Sequence, residues 1–176
     1  LRHFLRLADS IDVLPVLAAL SARPDLWNAN DLRTTFPGSP HADVDDIWCM
    51  FDDTSGDVVN SIQTHPYAGW LELPVKDLVL NLMRRVGGTQ LGRVIVTRLA
   101  PGKSIPEHTD QGAPAEFYQR YHIILQSGPG CLVYSGGEVI QASAGEAWWF
   151  DNRAPHSVVN NSADDRIVIV VDARVC

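Results

Sequence analysis

From about Arg93 onward the chain is a succession of short β-branched or aromatic stretches: "GRVIVTRLA", "QRYHIILQ", "CLVYSGGEVIQA", "GEAWWFDN", "HSVVNNS" and "DRIVIVVDA". Gly, Pro, Asn and Asp turns separate them at short intervals. Strands with that rhythm build an antiparallel sandwich or barrel, so the sequence predicts a mainly β fold with flanking helices, of the jelly-roll, cupin-like kind.

The first half has a different character. "HFLRLAD" predicts a short strand, after which Asp9 or Ser10 is positioned to cap a helix to about Leu20, with Pro15 tolerated in its first turn. "LPVKDLVLNLMRRVGG" predicts a second helix, with Arg84 and Arg85 in its last turn and Gly87-Gly88 as its stop. Residues 23–66 are rich in Pro, Asp, Asn and Gly, broken by "DIWCMFDD", which suits one strand. Irregular stretches of that length tend to be functional. With 176 residues, no repeat and no linker, one domain is expected over 1–176: a helical and loop-rich part over 1–90 and a β core over 91–176.

Composition narrows the function classes. The formal net charge is -7 and Lys and Arg are scattered, which argues against a nucleic-acid partner. No apolar run approaches a membrane span and "LRHFLRLADS" lacks the apolar centre of a signal peptide, so a soluble, cytoplasmic protein with no membrane partner is expected. Cys49, Cys131 and Cys176 are far apart and odd in number, which fits reduced thiols better than a disulfide framework or a zinc ribbon.

The chemistry is concentrated around "PEHTD". His108 and Asp110 are two residues apart at the end of a predicted strand, so both side chains point to one face. His156 lies at a similar loop-to-strand junction in "APHSVV", and strands far apart in sequence face each other across a jelly roll. Two imidazoles and one carboxylate that leave open positions on an octahedral ion are the ligand set of non-haem Fe(II) oxygenases. A lone His-x-Asp pair is more often a surface loop; the later His156 and the arginine ten residues beyond it raise the odds. Arg166 in "DRIVIVVD" is costly in an apolar strand unless paired, and its fork suits a carboxylate. Alternation alone leaves it equally able to point inward or outward, or to pair with Asp164 or Asp172.

Over about Arg93 to Ala173, "RLAPGKSIPEHTD", "RYHIIL", "GEAWWFDNRAPHSVVNNS" and "DRIVIVVDA" appear in an order that resembles the aspartyl/asparaginyl β-hydroxylase family. These are Fe(II)- and 2-oxoglutarate-dependent oxygenases with a double-stranded β-helix fold. The chain is most similar in look to the bacterial free-amino-acid members, of the proline cis-4-hydroxylase type. The resemblance implies His108, Asp110 and His156 as catalytic iron ligands and Arg166 as the anchor for the distal carboxylate of 2-oxoglutarate. It further implies cosubstrate contacts from Arg120, His122 and Thr97. Read from the residues alone, His122 is equally a core histidine and Arg120 an exposed residue at a strand start. Asp110 stands where the animal enzymes have a small residue, so by this resemblance the chain looks like the complete-triad branch.

The implied activity is hydroxylation of an amino acid, an amino-acid-derived small molecule or a peptidyl side chain, consuming O2 and 2-oxoglutarate and releasing succinate and CO2. The competing reading is a cupin-like metal-binding module that does not turn over, or does not use 2-oxoglutarate. Closure over the substrate is expected from residues 27–70, from the insert around Phe117 and Tyr118, or from a second subunit in a homodimer.

Overall fold

A computed structural model of the chain describes residues 1–176. In chain order its elements are β1 (Phe4–Ala8), α1 (Leu14–Ala22), α2 (Leu32–Thr35), β2 (Val44–Phe51), β3 (His65–Pro66), α3 (Ala68–Glu72) and α4 (Lys76–Val86). There follow β4 (Gly88–Leu99), β5 (Ser104–His108), α5 (Ala113–Phe117), β6 (Gln119–Gln126), β7 (Cys131–Ser135) and β8 (Glu138–Ile140). The chain closes with β9 (Ala147–Phe150), β10 (His156–Asn160) and β11 (Arg166–Val175).

The strands form two antiparallel sheets, a seven-stranded one in the order β1-β9-β6-β11-β4-β2-β3 and a four-stranded one in the order β5-β10-β7-β8. This is the expected jelly roll. No helix is long and apolar enough to cross a membrane.

Period-two alternation gives the large sheet two different faces. Ile47, Cys49, Val94, Val96, Ile123, Leu125, Ile169 and Val171 pack with Val16 and Leu20 of α1 and Val79 and Leu82 of α4 in the main core. The residues between them face the small sheet, where Val44 and Leu99 meet Ile105, Val133 and Val158. On β11 that inner row is Arg166, Val168, Val170 and Asp172, so a buried charge stands at each end of an apolar run. The adjacent tryptophans divide in the same way: Trp148 packs toward the inner clusters and Trp149 toward the helix-covered core.

Two expectations need correction. The helix α1 does not start from Asp9 or Ser10: Ser10 takes φ 61° and Ile11 N–H donates to Gly145 O at 2.9 Å, which ties this segment to the turn before β9. The helix begins at Leu14, whose N–H is accepted by Asp12 Oδ1 at 3.2 Å. The division at residue 90 is also too sharp, because β1, β2 and β3 belong to the large sheet and β2 pairs along β4 from Val44 to Met50. Without β2 the face carrying Thr97 and Ile95 would have an open edge. The α4 helix stops as expected, with Gly87 in the left-handed region at φ 67°.

Candidate metal and cosubstrate site

The pairing of β5 with β10 places His156 directly opposite His108, and the two rings lie with centroids 4.2 Å apart. Each ring is oriented by the carbonyl two residues before it: His108 Nδ1 is 2.8 Å from Pro106 O, and His156 Nδ1 is 2.9 Å from Ala154 O. A carbonyl oxygen only accepts, so each Nδ1 carries a proton, and in the neutral ring this tautomer leaves Nε2 free to bind a metal. Asp110, just past the end of β5, brings Oδ1 to 3.5 Å from His108 Nε2 and 3.8 Å from His156 Nε2. Ligand atoms of His108, Asp110 and His156 all lie within 4.8 Å of one another.

These donors fit a divalent transition metal. His108 Nε2 is buried and has no hydrogen-bond partner in the protein, which is costly for an imidazole nitrogen and natural for a ligand atom. Burial would by itself raise the Asp110 carboxyl; the charge of Arg120 and the hydrogen bonds around it overcome that and hold it well below the usual carboxylate range. Burial lowers the His156 imidazole, with the Asp110 charge opposing. A charged carboxylate beside a neutral imidazole is the protonation state that binds a metal.

A narrow cavity leads inward from the triad; Thr97, His122, His156, Arg120 and Arg166 line it together with Val168 and Val170. Strand register explains the grouping: Thr97 is opposite Val168, Val170 opposite His122, and Asp172 opposite Arg120. Arg166 points inward and is only 3% exposed, and its Nη2 has no partner. Neither Asp164 nor Asp172 pairs with it: Asp164 is exposed at the surface, and the Asp172 carboxylate is bound to Arg120. Burial lowers the proton affinity of Arg166, although a guanidinium of this kind stays charged at neutral pH. A buried, unpartnered fork is the complement of a ligand carboxylate, so the donor set also fits a 2-oxo acid cosubstrate.

The softer assignments fare differently. His122 and Thr97 are both brought to the cavity wall, and burial together with the charges of Arg166 and Arg120 holds the His122 imidazole well below its usual range. Arg120 is at the cavity too, but it is not the exposed strand-start residue of the alternative reading. Its Nε and Nη2 donate to Asp172 Oδ1 and Oδ2 at 2.8 and 2.9 Å, and its Nη1 donates to Asp110 Oδ2. The guanidinium expected to contact cosubstrate is thus engaged by two carboxylates of the protein.

Outside the triad an outer cleft opens, lined by Arg33, Phe36, His41, Arg93, Asp110 and Gln111 among others. Arg33 is fixed by both oxygens of buried Asp46, at 3.0 and 2.8 Å, and the His41 ring stands edge-on to His108 at 5.1 Å. Gly112, at φ 87°, lets the insert close on the loop before β3: a Cβ there would lie 2.6 Å from Val59 O. Arg33, Phe36, His41 and Val59 from residues 27–70 and Gln111, Pro114 and Ala115 from the insert line the cleft, whereas Phe117 and Tyr118 do not. Arg33, His41 and Asn152 were not singled out by sequence reasoning. The first two lie in irregular chain with no periodic signal, whereas Asn152 stands within "FDNRAPH" and could have been noticed.

An inward-facing His-x-Asp and His set on a double-stranded β-helix, with a buried arginine behind it, defines the class of jelly-roll metal sites to which non-haem iron oxygenases belong. The family model for aspartyl/asparaginyl beta-hydroxylase matches residues 74–175, more than half of the chain, and the chain belongs to that family. The L-proline cis-4-hydroxylase of Rhizobium meliloti (strain 1021) is 26% identical over 77 residues, which cover 44% of this chain and 28% of that protein. The chain thus matches less than a third of the length of this curated relative. A solved oxidoreductase of the 2OG-Fe(II) oxygenase family from Burkholderia pseudomallei superimposes with a TM-score of 0.55 at 19% identity, over 74% of this chain and 66% of that one. That likeness supports the fold.

Proposed function

We propose that the chain is an Fe(II)- and 2-oxoglutarate-dependent hydroxylase acting on an amino acid, an amino-acid-derived small molecule or a peptidyl side chain, with release of succinate and CO2. One observation carries the reading: a single cavity has a buried, unpartnered imidazole nitrogen at His108 and a buried, unpartnered guanidinium nitrogen at Arg166. Each is costly in the protein alone; a metal ion satisfies the first, and a dicarboxylate chelated to that ion satisfies the second.

His108, Asp110 and His156 would hold the iron, which when bound supplies the oxygen chemistry. Arg166 anchors the far carboxylate of the cosubstrate through paired charge-assisted hydrogen bonds, and the Thr97 hydroxyl adds a neutral donor beside it. Val168, Val170 and Phe150 keep the inner cavity apolar around the cosubstrate chain and limit the entry of water. Substrate enters by the outer cleft, where Arg33 and Arg93 are each held by a buried carboxylate, Asp46 and Asp52, and so form a rigid wall.

The test is a screen of free amino acids and peptides with Fe(II), 2-oxoglutarate and air, reading succinate. The expected result is slow succinate formation without substrate and a large increase with one substrate class. Metal-loaded protein that never consumes 2-oxoglutarate would instead favour the metal-binding module without this turnover.

A further inference from the structure

Behind the metal-facing carboxylate lies a second, fully buried one. Asp172 is 2% exposed, is held opposite Arg120 by the pairing of β11 with β6, and engages that guanidinium through both of its oxygens. We propose that Asp172 is a positioning residue for the metal centre, acting through Arg120 to fix which oxygen of Asp110 faces the ion; this rests on the metal-centre reading above.

A carboxylate at a metal can bind through one oxygen or both, and the choice is set by what its second oxygen touches. Here Oδ2 of Asp110 accepts from Arg120 Nη1 and from Asn152 Nδ2, the latter at 2.9 Å. The backbone repeats the connection, since Asp110 N–H donates to Asn152 O at 3.1 Å. Oδ1 alone is left toward the two imidazoles.

Arg120 by itself would be a poor clamp, because a long side chain has many rotamers. Two parallel bonds to Asp172 remove that freedom and orient the third donor edge toward Asp110. Access behind Asp172 is closed: a Cβ on Gly92 would lie 3.0 Å from Asp172 Cβ and 2.9 Å from the Tyr118 ring, so there is no room for more than a hydrogen. Single-oxygen binding by Asp110 leaves one more position on the ion than two-oxygen binding would. A bidentate cosubstrate and O2 together need every position that three protein ligands leave.

The experiment is a double-mutant cycle on cobalt binding, which reads the site without turnover. Metal-free wild type, Asp172→Asn, Asp110→Ala and the double variant are titrated with Co(II), following the visible absorption of the bound ion. Asp172→Asn is expected to weaken Co(II) binding about 10- to 100-fold and to change the spectrum as Asp110 turns. In the Asp110→Ala background the same substitution is expected to change affinity by less than about twofold, because its route to the ion is gone. Equal losses in both backgrounds mark Asp172 as a general prop of the fold and overturn the proposal. So does wild-type affinity in Asp172→Asn. Arg120→Lys keeps the charge balance but cannot span both carboxylates, and it is expected to show the same dependence on Asp110 should Asp172→Asn fail to fold. Wild type that takes up no Co(II) removes the metal centre itself, a failure distinct from that of the positioning role.

Discussion

Two arginines share the inner face of the large sheet, and they are opposites. Each of the three guanidinium nitrogens of Arg120 donates to Asp172 or Asp110, whereas Arg166 is as deeply placed, is flanked by Val168 and Leu99, and leaves Nη2 with no partner. A buried guanidinium held by two carboxylates of the protein is part of the scaffold. One left unpaired carries a desolvation cost that the fold tolerates only if something else completes it. The comparison locates where the protein ends and where a ligand begins, a distinction that residue type alone does not make.

The comparison can be broken most severely by removing the ion that both ends face. His156→Ala or Asp110→Ala is expected to abolish metal-dependent succinate formation, measured with saturating Fe(II) and 2-oxoglutarate. Next in size is a contrast in stability. Arg120→Met should cost about 3–5 kcal/mol in urea unfolding, since it leaves Asp172 buried and unpaired. Arg166→Met, of similar volume and with no carboxylate left behind, should leave the unfolding midpoint unchanged or raised. A large loss in Arg166→Met would mean that Arg166 is structural after all. A smaller effect is expected from Thr97→Val, which removes one neutral hydrogen bond and should raise the KM for 2-oxoglutarate about three- to tenfold with little change in kcat.

The smallest effect is a pH slope. His122 is buried, and its imidazole is held well below its usual range, so the folded protein refuses a proton that the unfolded chain accepts near pH 6.5. Stability from this group is therefore complete above about pH 6.5 and declines as pH falls below it. Burial, with Arg33 and His108 nearby, lowers His41 in the same direction. Urea unfolding of metal-free protein at a series of pH values should show this loss on acidification, and His122→Gln should flatten it.

Much of this was legible in the residues. The strand "QRYHIILQ" has the bounds of β6 residue for residue, and Gly87 ends α4 where its αL tolerance predicted. His108 and Asp110 converge as their spacing suggested, although the strand ends at His108, and period-two alternation puts Asp172 on the face of Arg166, an even number of residues away. What alternation could not say is which carboxylate meets which arginine. That depends on the register of β6 against β11, a long-range pairing that sets Asp172 opposite Arg120. The start of α1 was missed because a tertiary bond from Ile11 to Gly145 outweighs the capping preference of Asp9 and Ser10. The outer cleft was foreseen only as a region, since Arg33 and His41 sit in irregular chain that becomes a wall through contact with distant strands.

The central claim is that Arg166 is the unfinished half of a 2-oxoglutarate site whose other half is the metal. Calorimetric titration of 2-oxoglutarate into anaerobic, Fe(II)-loaded protein tests it directly, comparing wild type with Arg166→Met. The account predicts one site per chain in wild type and a loss of affinity of about 30-fold or more in the variant, the usual consequence of truncating one partner of a buried charge pair. Equal affinity in the two proteins would contradict it.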